Sequence, residues 1–209
     1  MIPAAQNDSI DGRLPRRALL RGVLLVALAV GPGFASALEG GSRVGRNDPG
    51  DQGVDEYTLK AAYLEKFHKY VEWPEAVFED GKAPFVLAIF GKDPFEERID
   101  KILKGKSHGT HPVKVVRVKE DVEELAGAHI VFVTDRKKAE IAAITKQLAG
   151  KHVLIVGESK DLAQKGAIVN FYLADTNVRF EVNPQAAKRA GLKISSSLLK
   201  LARIVEDPE

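Results

Sequence analysis

The stretch Ile168-Val-Asn-Phe-Tyr-Leu-Ala-Asp-Thr-Asn-Val-Arg-Phe-Glu-Val-Asn183 decides the fold, because it predicts a β-hairpin with one apolar and one polar face. If the chain reverses at Asp175 and Thr176, side-chain alternation places three apolar pairs on one face: Val169 with Val182, Phe171 with Phe180, and Leu173 with Val178. The same register places two polar pairs on the other face: Asn170 with Glu181, and Tyr172 with Arg179. We expect the apolar face to lie on a core and the polar face to offer charge-assisted contacts.

Two helices are expected after the hairpin. Asn183 is placed to cap a helix with Pro184 at its first position, and Gly191 is placed to end it. Beyond Gly191, Ser195 can cap a second helix, whose apolar residues recur at helical spacing: Ile194, Leu198, Leu201 and Val205. The chain is therefore expected to end in an amphipathic helix docked on the sheet.

The residues before the hairpin alternate between apolar runs and helical patterns. Predicted strands cover residues 85–90, 113–118, 130–133 and 152–156, and predicted helices cover residues 95–103, 121–125 and 137–148. Continuous apolar strands with helices between them are typical of a parallel sheet covered on both faces. We therefore expect a three-layer α/β domain with a mixed, mostly parallel sheet, a C-terminal β-hairpin and a C-terminal amphipathic helix.

The N-terminus has the pattern of a signal peptide. Four arginines precede the apolar run 23–30, which is followed by the small residues Ala35-Ser36-Ala37. The run is shorter than the roughly 20 residues that span a bilayer, so cleavage near Ala37 is favoured over a retained anchor. Arg16-Arg17 also fits a twin-arginine signal, and the Sec and twin-arginine routes both stay open. We expect a signal peptide over 1–37, a flexible leader over 38–54 and a folded domain over 55–209.

Charge and cysteine content exclude several classes of function. Loss of residues 1–37 removes four of 31 basic and two of 29 acidic residues, leaving 27 of each. A nearly neutral mature chain has no electrostatic basis for binding nucleic acid or a membrane surface. The chain has no cysteine, which excludes disulfides, thiol catalysis and thiolate metal ligands.

Motifs in both halves of the mature region resemble a known family. The C-terminal motifs are Arg179-Phe-Glu-Val-Asn183, Ala190-Gly-Leu-Lys-Ile-Ser-Ser196 and Leu198-Leu-Lys-Leu-Ala202; the N-terminal ones are Lys60-Ala-Ala-Tyr-Leu-Glu-Lys-Phe-His-Lys-Tyr-Val-Glu-Trp-Pro74 and Asp93-Pro94-Phe95. Over roughly residues 57–205 the chain resembles the YfiR-like family of periplasmic regulators.

The resemblance implies a function and a location. It implies a periplasmic, non-enzymatic regulator that binds the periplasmic part of an inner-membrane signalling protein and represses its output. A diguanylate cyclase, and so cyclic di-GMP signalling, is one such partner and a histidine kinase another; relatives also suggest a homodimer. The polar family-motif residues Asn170, Arg179, Glu181 and Asn183 either serve this function or brace the C-terminal helix, and we favour the bracing role.

A different function class is indicated by the loops that follow three predicted strands. These loops carry Gly91, Lys92 and Asp93; Thr134 and Asp135; and Gly157 and Glu158. In open α/β sheets ligands bind beyond the carboxyl ends of the strands, so these residues form a candidate pocket for a small ligand. The alternative is ordinary turn and cap chemistry, with Asp93 capping a helix begun by Pro94.

Aromatic residues on one helix and its end form a candidate partner interface: Tyr63, Phe67, Tyr70 and Trp73. If this helix packs on the sheet the stripe is core, which is the usual outcome at helical spacing. If part of it is exposed, it can anchor a partner, since Trp and Tyr dominate protein–protein hot spots.

Catalytic, metal and cofactor sites are not expected. His108 and His111 can share a metal if a third ligand comes from elsewhere, but exposed loop residues explain them more simply. His68, in the helix, can titrate with pH. The triple Ser195–Ser197 lacks a nucleophile elbow, and the sequence has no phosphate-binding glycine motif.

Overall fold

The fold is taken from a computed structural model that describes residues 55–78, 81 and 83–207. The predicted signal peptide and leader lie outside the described residues. None of the helices within the described part is long and apolar enough to cross a membrane.

An eight-stranded mixed sheet forms the centre of the fold. A separate two-stranded ribbon brings the described strands to ten. In chain order they are β1 (Val71–Glu72), β2 (Phe85–Phe90), β3 (Ser107–His108), β4 (His111–Val118), β5 (Ile130–Val133), β6 (Leu154–Gly157), β7 (Val169–Ala174), β8 (Asn177–Val182), β9 (Lys193–Ile194) and β10 (Arg203–Ile204). The spatial order is β10-β8-β7-β6-β5-β2-β4-β3, and β1 and β9 form a separate antiparallel ribbon. Strands β4, β2, β5, β6 and β7 run parallel, which confirms the predicted mostly parallel sheet.

Helical segments connect these strands. The α-helices are α1 (Glu56–Tyr70), α2 (Glu97–Leu103), α3 (Ile141–Gln147), α4 (Pro184–Arg189) and α5 (Ser196–Leu199), and 3-10 turns cover Glu75–Phe78, Val122–Gly127, Asp135–Glu140 and Ala163–Lys165. The predicted helix 137–148 is thus split into a 3-10 segment and α3, and the predicted helix 121–125 is 3-10.

Side chains alternate across the sheet and form two hydrophobic cores. Leu87 and Ile89 point to the face covered by α1, α2, α4 and α5. Ala88 and Phe90 point to the opposite face, which α3 covers. This arrangement confirms the three-layer α/β architecture.

The hairpin has the predicted register. All six pairs from Val169↔Val182 to Ala174↔Asn177 are formed, and the turn is at Asp175-Thr176. Asn183 Oδ1 accepts a hydrogen bond from Ala186 N at 2.9 Å and caps α4. Gly191 follows α4 with φ +70°, and a Cβ there would lie 2.6 Å from His152 Nδ1, so glycine is required at this position.

The structure corrects the predicted C-terminal amphipathic helix. The helix α5 is a single turn capped by Ser195, and Leu201 beyond it is 73% exposed. The chain then extends as β10, which pairs in parallel with β8. The edge of β8 offers unpaired backbone groups, and Arg203 reaches the buried Glu181 from β10, so sheet pairing outweighs the helical pattern.

Candidate functional site

Three loops meet at the carboxyl edge of the sheet, as the sequence predicts. Because β2, β5 and β6 are parallel neighbours, the loops that follow them lie side by side. They line a cleft of about 390 Å³, here called the strand-end cleft: Tyr57, Lys92, Asp93, Pro94, Glu96, Thr134, Asp135, Arg136 and Glu158.

The strand-end cleft lies at a topological switch point. After β2 the chain enters α2, whose Ile99 and Leu103 belong to the core that α1 covers. After β5 it enters α3, whose Ile141 and Ile144 belong to the opposite core. The two connections diverge to opposite faces, and the space between them is where open α/β sheets bind ligands.

A buried ion pair forms the floor of this edge. Glu158 Oε2 lies 2.7 Å from Lys60 Nζ of α1, and their side chains are 4% and 5% exposed. Lys60 Nζ also lies 2.5 Å from Glu56 Oε1, and Glu158 Oε1 accepts from Asp135 N at 3.1 Å. The pair therefore ties α1 to two strand-end loops.

Two groups next to this ion pair have shifted pKa values. The hydroxyl of Ser159 donates to Asp135 Oδ1 at 2.5 Å, and this bond, with that from Lys138, holds the pKa of Asp135 below its ordinary value. Burial, followed by the charges of Glu158 and Glu56, raises the pKa of Tyr57 to about 12. Tyr57 is therefore a neutral phenol at physiological pH.

A second cleft of about 510 Å³ adjoins the strand-end cleft at Glu158 and extends to the hairpin. Asn170 Nδ2 donates to Ser159 O at 2.9 Å and to Glu181 Oε1 at 3.0 Å. Arg203 donates to Glu181 Oε2 and lies 4.3 Å from the centre of the Tyr172 ring. Asn170 and Glu181 are buried, so this network links the hairpin, the loop after β6 and β10.

The four polar family-motif residues do not form one site. Asn170 and Glu181 are bonded to each other, whereas Arg179 is exposed. Asn183 is buried at α4, where Nδ2 donates to Ala163 O at 2.9 Å. Asn170, Glu181 and Asn183 thus bond to neighbouring elements of the fold, and their bracing role stays a prediction, with β10 in place of the predicted long helix.

Two glycines allow the strand-end loops to approach. Gly91 has φ +106°, and a Cβ there would lie 2.3 Å from Thr134 Oγ1. A Cβ on Gly157 would lie 2.8 Å from Asn170 Oδ1. Thr134 Oγ1 is buried and has no hydrogen-bond partner among the described residues. Asp93 does not cap a helix begun by Pro94, because α2 begins at Glu97 with Glu96 as its N-cap. Its Oδ1 instead accepts from Phe95 N at 2.7 Å in the turn before α2.

The comparison with family models decides the family. The model described as YfiR/HmsC-like matches residues 57–203. The chain belongs to the YfiR/HmsC-like family. Membership supports, in general terms, a role as a periplasmic regulator.

Two solved structures share a general similarity with this YfiR/HmsC-like chain. The ABC domain from Streptococcus pneumoniae, described in complex with L-Trp, has a TM-score of 0.48 at 9% identity. A conserved domain protein from Vibrio cholerae O1 biovar El Tor has a TM-score of 0.45 at 11% identity. Each alignment covers 71% of this chain and 60% of the other. No curated protein matches the chain.

The aromatic stripe of this YfiR/HmsC-like chain divides between core and surface. Phe67 and Trp73 are 0% and 8% exposed and belong to the core. Tyr63 is half-buried and packs on Phe67, Phe171 and Phe180. Tyr70 is 39% exposed. The four residues therefore do not form one exposed patch, and Tyr63 and Tyr70 are the accessible members.

Two groups of side chains that the structure brings together were not predicted from the sequence. Lys60 was not singled out, although it holds Glu158. His108 and His111 were expected to be exposed loop residues, but His108 is half-buried in β3 and His111 is buried in β4. They lie with His68 and His129 around Phe78 and Phe85, at the amino edge of the sheet. Within residues 55–78, 81 and 83–207 no group of three or more His, Asp or Glu is placed to hold a metal ion.

Proposed function

We propose that this chain is an exported regulator that binds the periplasmic part of an inner-membrane signalling protein, a diguanylate cyclase or a histidine kinase, and represses its output. The observation that carries the proposal is the family match over residues 57–203. Such a regulator acts without catalysis of its own. It favours the inactive state of its partner, which requires a difference in affinity for the partner's two states, typically about 1–3 kcal/mol.

Tyr63 and Tyr70, the accessible members of the aromatic stripe, mark the proposed docking face. Tyr63 and Leu201 line a shallow cleft of about 380 Å³, with Arg179 of the hairpin also contributing. Tyr70 lies two helical turns after Tyr63 on α1. Tyr and Arg are the residue types that protein interfaces enrich, and exposed Leu201 adds apolar area. We assign partner docking to this face, which comprises Tyr63, Tyr70, Arg179 and Leu201.

The test is recovery of the partner from the native host. The envelope is cross-linked, the tagged mature chain is isolated, and the co-purified proteins are identified by mass spectrometry. We expect an inner-membrane protein with a cyclase or kinase output domain, and deletion of the gene should raise that output. Recovery of the tagged chain alone would overturn the adaptor proposal.

The docking face is tested by matched variants in the same assay. Tyr70→Ala and Leu201→Ser change exposed side chains, so they should lower recovery of the partner without changing stability. Lys146→Ala, an exposed change on α3 at the opposite face, is the control. Equal recovery with all three variants would place docking elsewhere.

Export is part of the proposal. A signal peptide cleaved near Ala37 leaves the leader 38–54 ahead of the folded domain 55–209. N-terminal sequencing of the protein recovered from the envelope should begin near residue 38. A start at Met1 would contradict cleavage. Sedimentation of the same material tests the homodimer.

A second candidate function is the binding of a small ligand in the strand-end cleft. The observation that favours it is Thr134, which lines the cleft and whose buried hydroxyl has no hydrogen-bond partner in the described part of the chain. A ligand that binds the folded state raises the melting temperature with its concentration. A ligand found by such a screen should lose its effect in Thr134→Val, which keeps the shape and removes the hydroxyl.

A further inference from the structure

Four of the five histidines pack into one cluster at the amino edge of the sheet. His129 stacks on Phe78 and Phe85 with ring centres 5.4 and 4.7 Å apart. His108 lies 4.8 Å from Phe85 and 5.5 Å from Trp73. The two remaining rings join this group through His108 and Phe78: His68 at 5.8 Å from His108, and His111 at 4.9 Å from Phe78. We call these four residues the histidine cluster.

Hydrogen bonds determine whether the Nδ1 atoms of three rings in the cluster carry a proton. The Nδ1 atoms of His108 and His111 donate to the carbonyl oxygens of His68 and Ala83, at 2.9 and 2.7 Å. His129 differs, because its Nδ1 accepts from Val86 N at 3.0 Å. A proton added to that nitrogen removes the acceptor of a backbone N–H, so this hydrogen bond requires the neutral ring.

Few charges are available to stabilise an imidazolium in this cluster. Glu65 on α1 lies 3.9 Å from His68 Nε2, but it already lies 3.0 Å from Lys66 Nζ and 3.0 Å from Lys69 Nζ. The other elements around the cluster add Lys106 before β3, at 4.0 Å from Glu65, and the exposed Glu72 and Glu75 near Trp73. Strand β2 contributes no titratable side chain. A second imidazolium would therefore meet neighbouring imidazoles and lysines.

Burial, like this shortage of carboxylates, disfavours the protonated histidines and lowers their pKa values. It lowers the pKa of His68 to about 4 and that of His129 to about 4, and it also lowers the pKa of His108. The folded cluster therefore takes up protons at lower pH than an exposed histidine does. Its stabilising contribution is complete above the ordinary histidine pKa of about 6.5 and is lost as the pH falls from there towards 4.

We propose that the histidine cluster is an acid-operated latch: when protonated, it releases the turn Ser107–Thr110 from α1 and Trp73 from Phe85 and His108, while the parallel strands of the sheet stay paired. The turn is the weak element, because Ser107, Gly109 and Thr110 are exposed and β3 has two residues. Trp73 is held between Phe85 and His108 and is 8% exposed. Release converts this core aromatic into an accessible contact residue.

The single tryptophan makes the latch measurable in the purified chain. Trp73 emission and its quenching by acrylamide are followed from pH 8 to pH 4, together with far-UV circular dichroism. We expect a red shift and stronger quenching with a midpoint between about pH 6.5 and 4, before the dichroism signal falls. Constant emission down to pH 4, or a shift that coincides with loss of dichroism, would overturn the proposal.

Three variants separate the latch from general acid sensitivity. His129→Asn keeps an acceptor for Val86 N without titrating, and His68→Phe removes a buried ring whose two nitrogens have no partner in the described chain. Both should move the transition to lower pH or abolish it. His152→Gln, outside the cluster, should leave it unchanged. If His129→Asn does not fold, His68→Phe decides, and a wild-type transition in His68→Phe would refute the latch.

Discussion

The two edges of the parallel sheet bury titratable groups in opposite ways. At the carboxyl edge a buried ion pair joins Lys60 to Glu158, with Nζ and Oε2 2.7 Å apart. At the amino edge His68 is buried and His129 half-buried among aromatic rings, and desolvation favours their neutral forms. A neutral imidazole contributes to stability only above the pH at which the unfolded state takes up protons that the folded ring excludes. The amino edge is therefore the part of the fold that responds to mild acid.

At the carboxyl edge, the pH ranges over which two groups stabilise the fold follow from the directions of their pKa shifts. The lowered pKa of Asp135 means that its contribution is present above its ordinary value and is lost in stronger acid than affects the histidines. The pKa of Tyr57, raised to about 12, means that its contribution is present below about pH 10 and is lost as the pH rises from 10 to 12.

The largest expected effect is the loss of the buried cation at the carboxyl edge. Lys60→Met leaves the carboxylate of Glu158 buried without its partner, and breaking a buried pair from one side costs about 3–5 kcal/mol. The free energy of unfolding at pH 7, from urea titration, measures this loss.

The control removes the orphaned charge as well. The double variant Lys60→Met/Glu158→Gln should recover more than half of the lost stability, since no unpaired carboxylate remains. A Lys60→Met variant within about 1 kcal/mol of the wild type would show that water reaches Glu158 and that the pair is not the floor of the site.

The next largest effect is the loss of stability in mild acid that the histidines of the amino edge cause. Between pH 7.5 and pH 5 the wild type should lose about 4 kcal/mol of unfolding free energy, about 2 kcal/mol for each of His68 and His129, because the unfolded state takes up protons that the folded cluster excludes. The double variant His68→Phe/His129→Asn should show a much shallower profile over this range, to which only His108 still contributes, and Lys60→Met should show the wild-type slope. Equal slopes in wild type and the histidine variant would contradict the contrast between the edges.

The hairpin could be predicted from the sequence because the residues that pair in it are close together along the chain. The period-2 alternation of Val169, Phe171 and Leu173 determines which residues face the core, and Asn183-Pro184 signals the next helix within two residues. The strand-end loops were also predictable, because parallel strands bring their carboxyl ends together. The helical spacing beyond Ser195 misled because a free sheet edge competes for the same residues.

The contacts that sequence reasoning missed join distant parts of the chain. Lys60 and Glu158 are separated by 98 positions, and His108 reaches the carbonyl of His68 over 40 positions. A lysine on a helix and scattered histidines carry no local mark of such partners. Their roles depend on which faces the sheet brings together, and this information is tertiary.

A smaller effect tests how closely the carboxyl edge is packed. Gly157→Ala places a Cβ 2.8 Å from both Asn170 Oδ1 and Leu162 Cδ1, and overpacking of this kind costs about 1–3 kcal/mol. Gly127→Ala is the matched control, because no heavy atom lies within 4 Å of its added Cβ. Thermal unfolding of the two variants measures the difference. Similar melting temperatures would mean that Asn170 moves away freely and does not brace the hairpin.

The smallest expected effect separates burial from charge at the carboxyl edge. Arg117 Nε lies 2.7 Å from Asp93 Oδ2, a distance equal to that of the Lys60–Glu158 pair, but Arg117 and its second carboxylate partner, Asp100, are 39% and 51% exposed. Exposed pairs contribute about 0–1 kcal/mol because water and salt screen them. Arg117→Met should therefore lower the unfolding free energy by less than about 1 kcal/mol, and 1 M salt should erase the difference. Salt should leave the Lys60→Met loss almost unchanged, since its charges are buried. If both variants lose the same free energy, burial does not distinguish the floor of the cleft from its rim, and the ion-pair distance alone determines the strength of each contact.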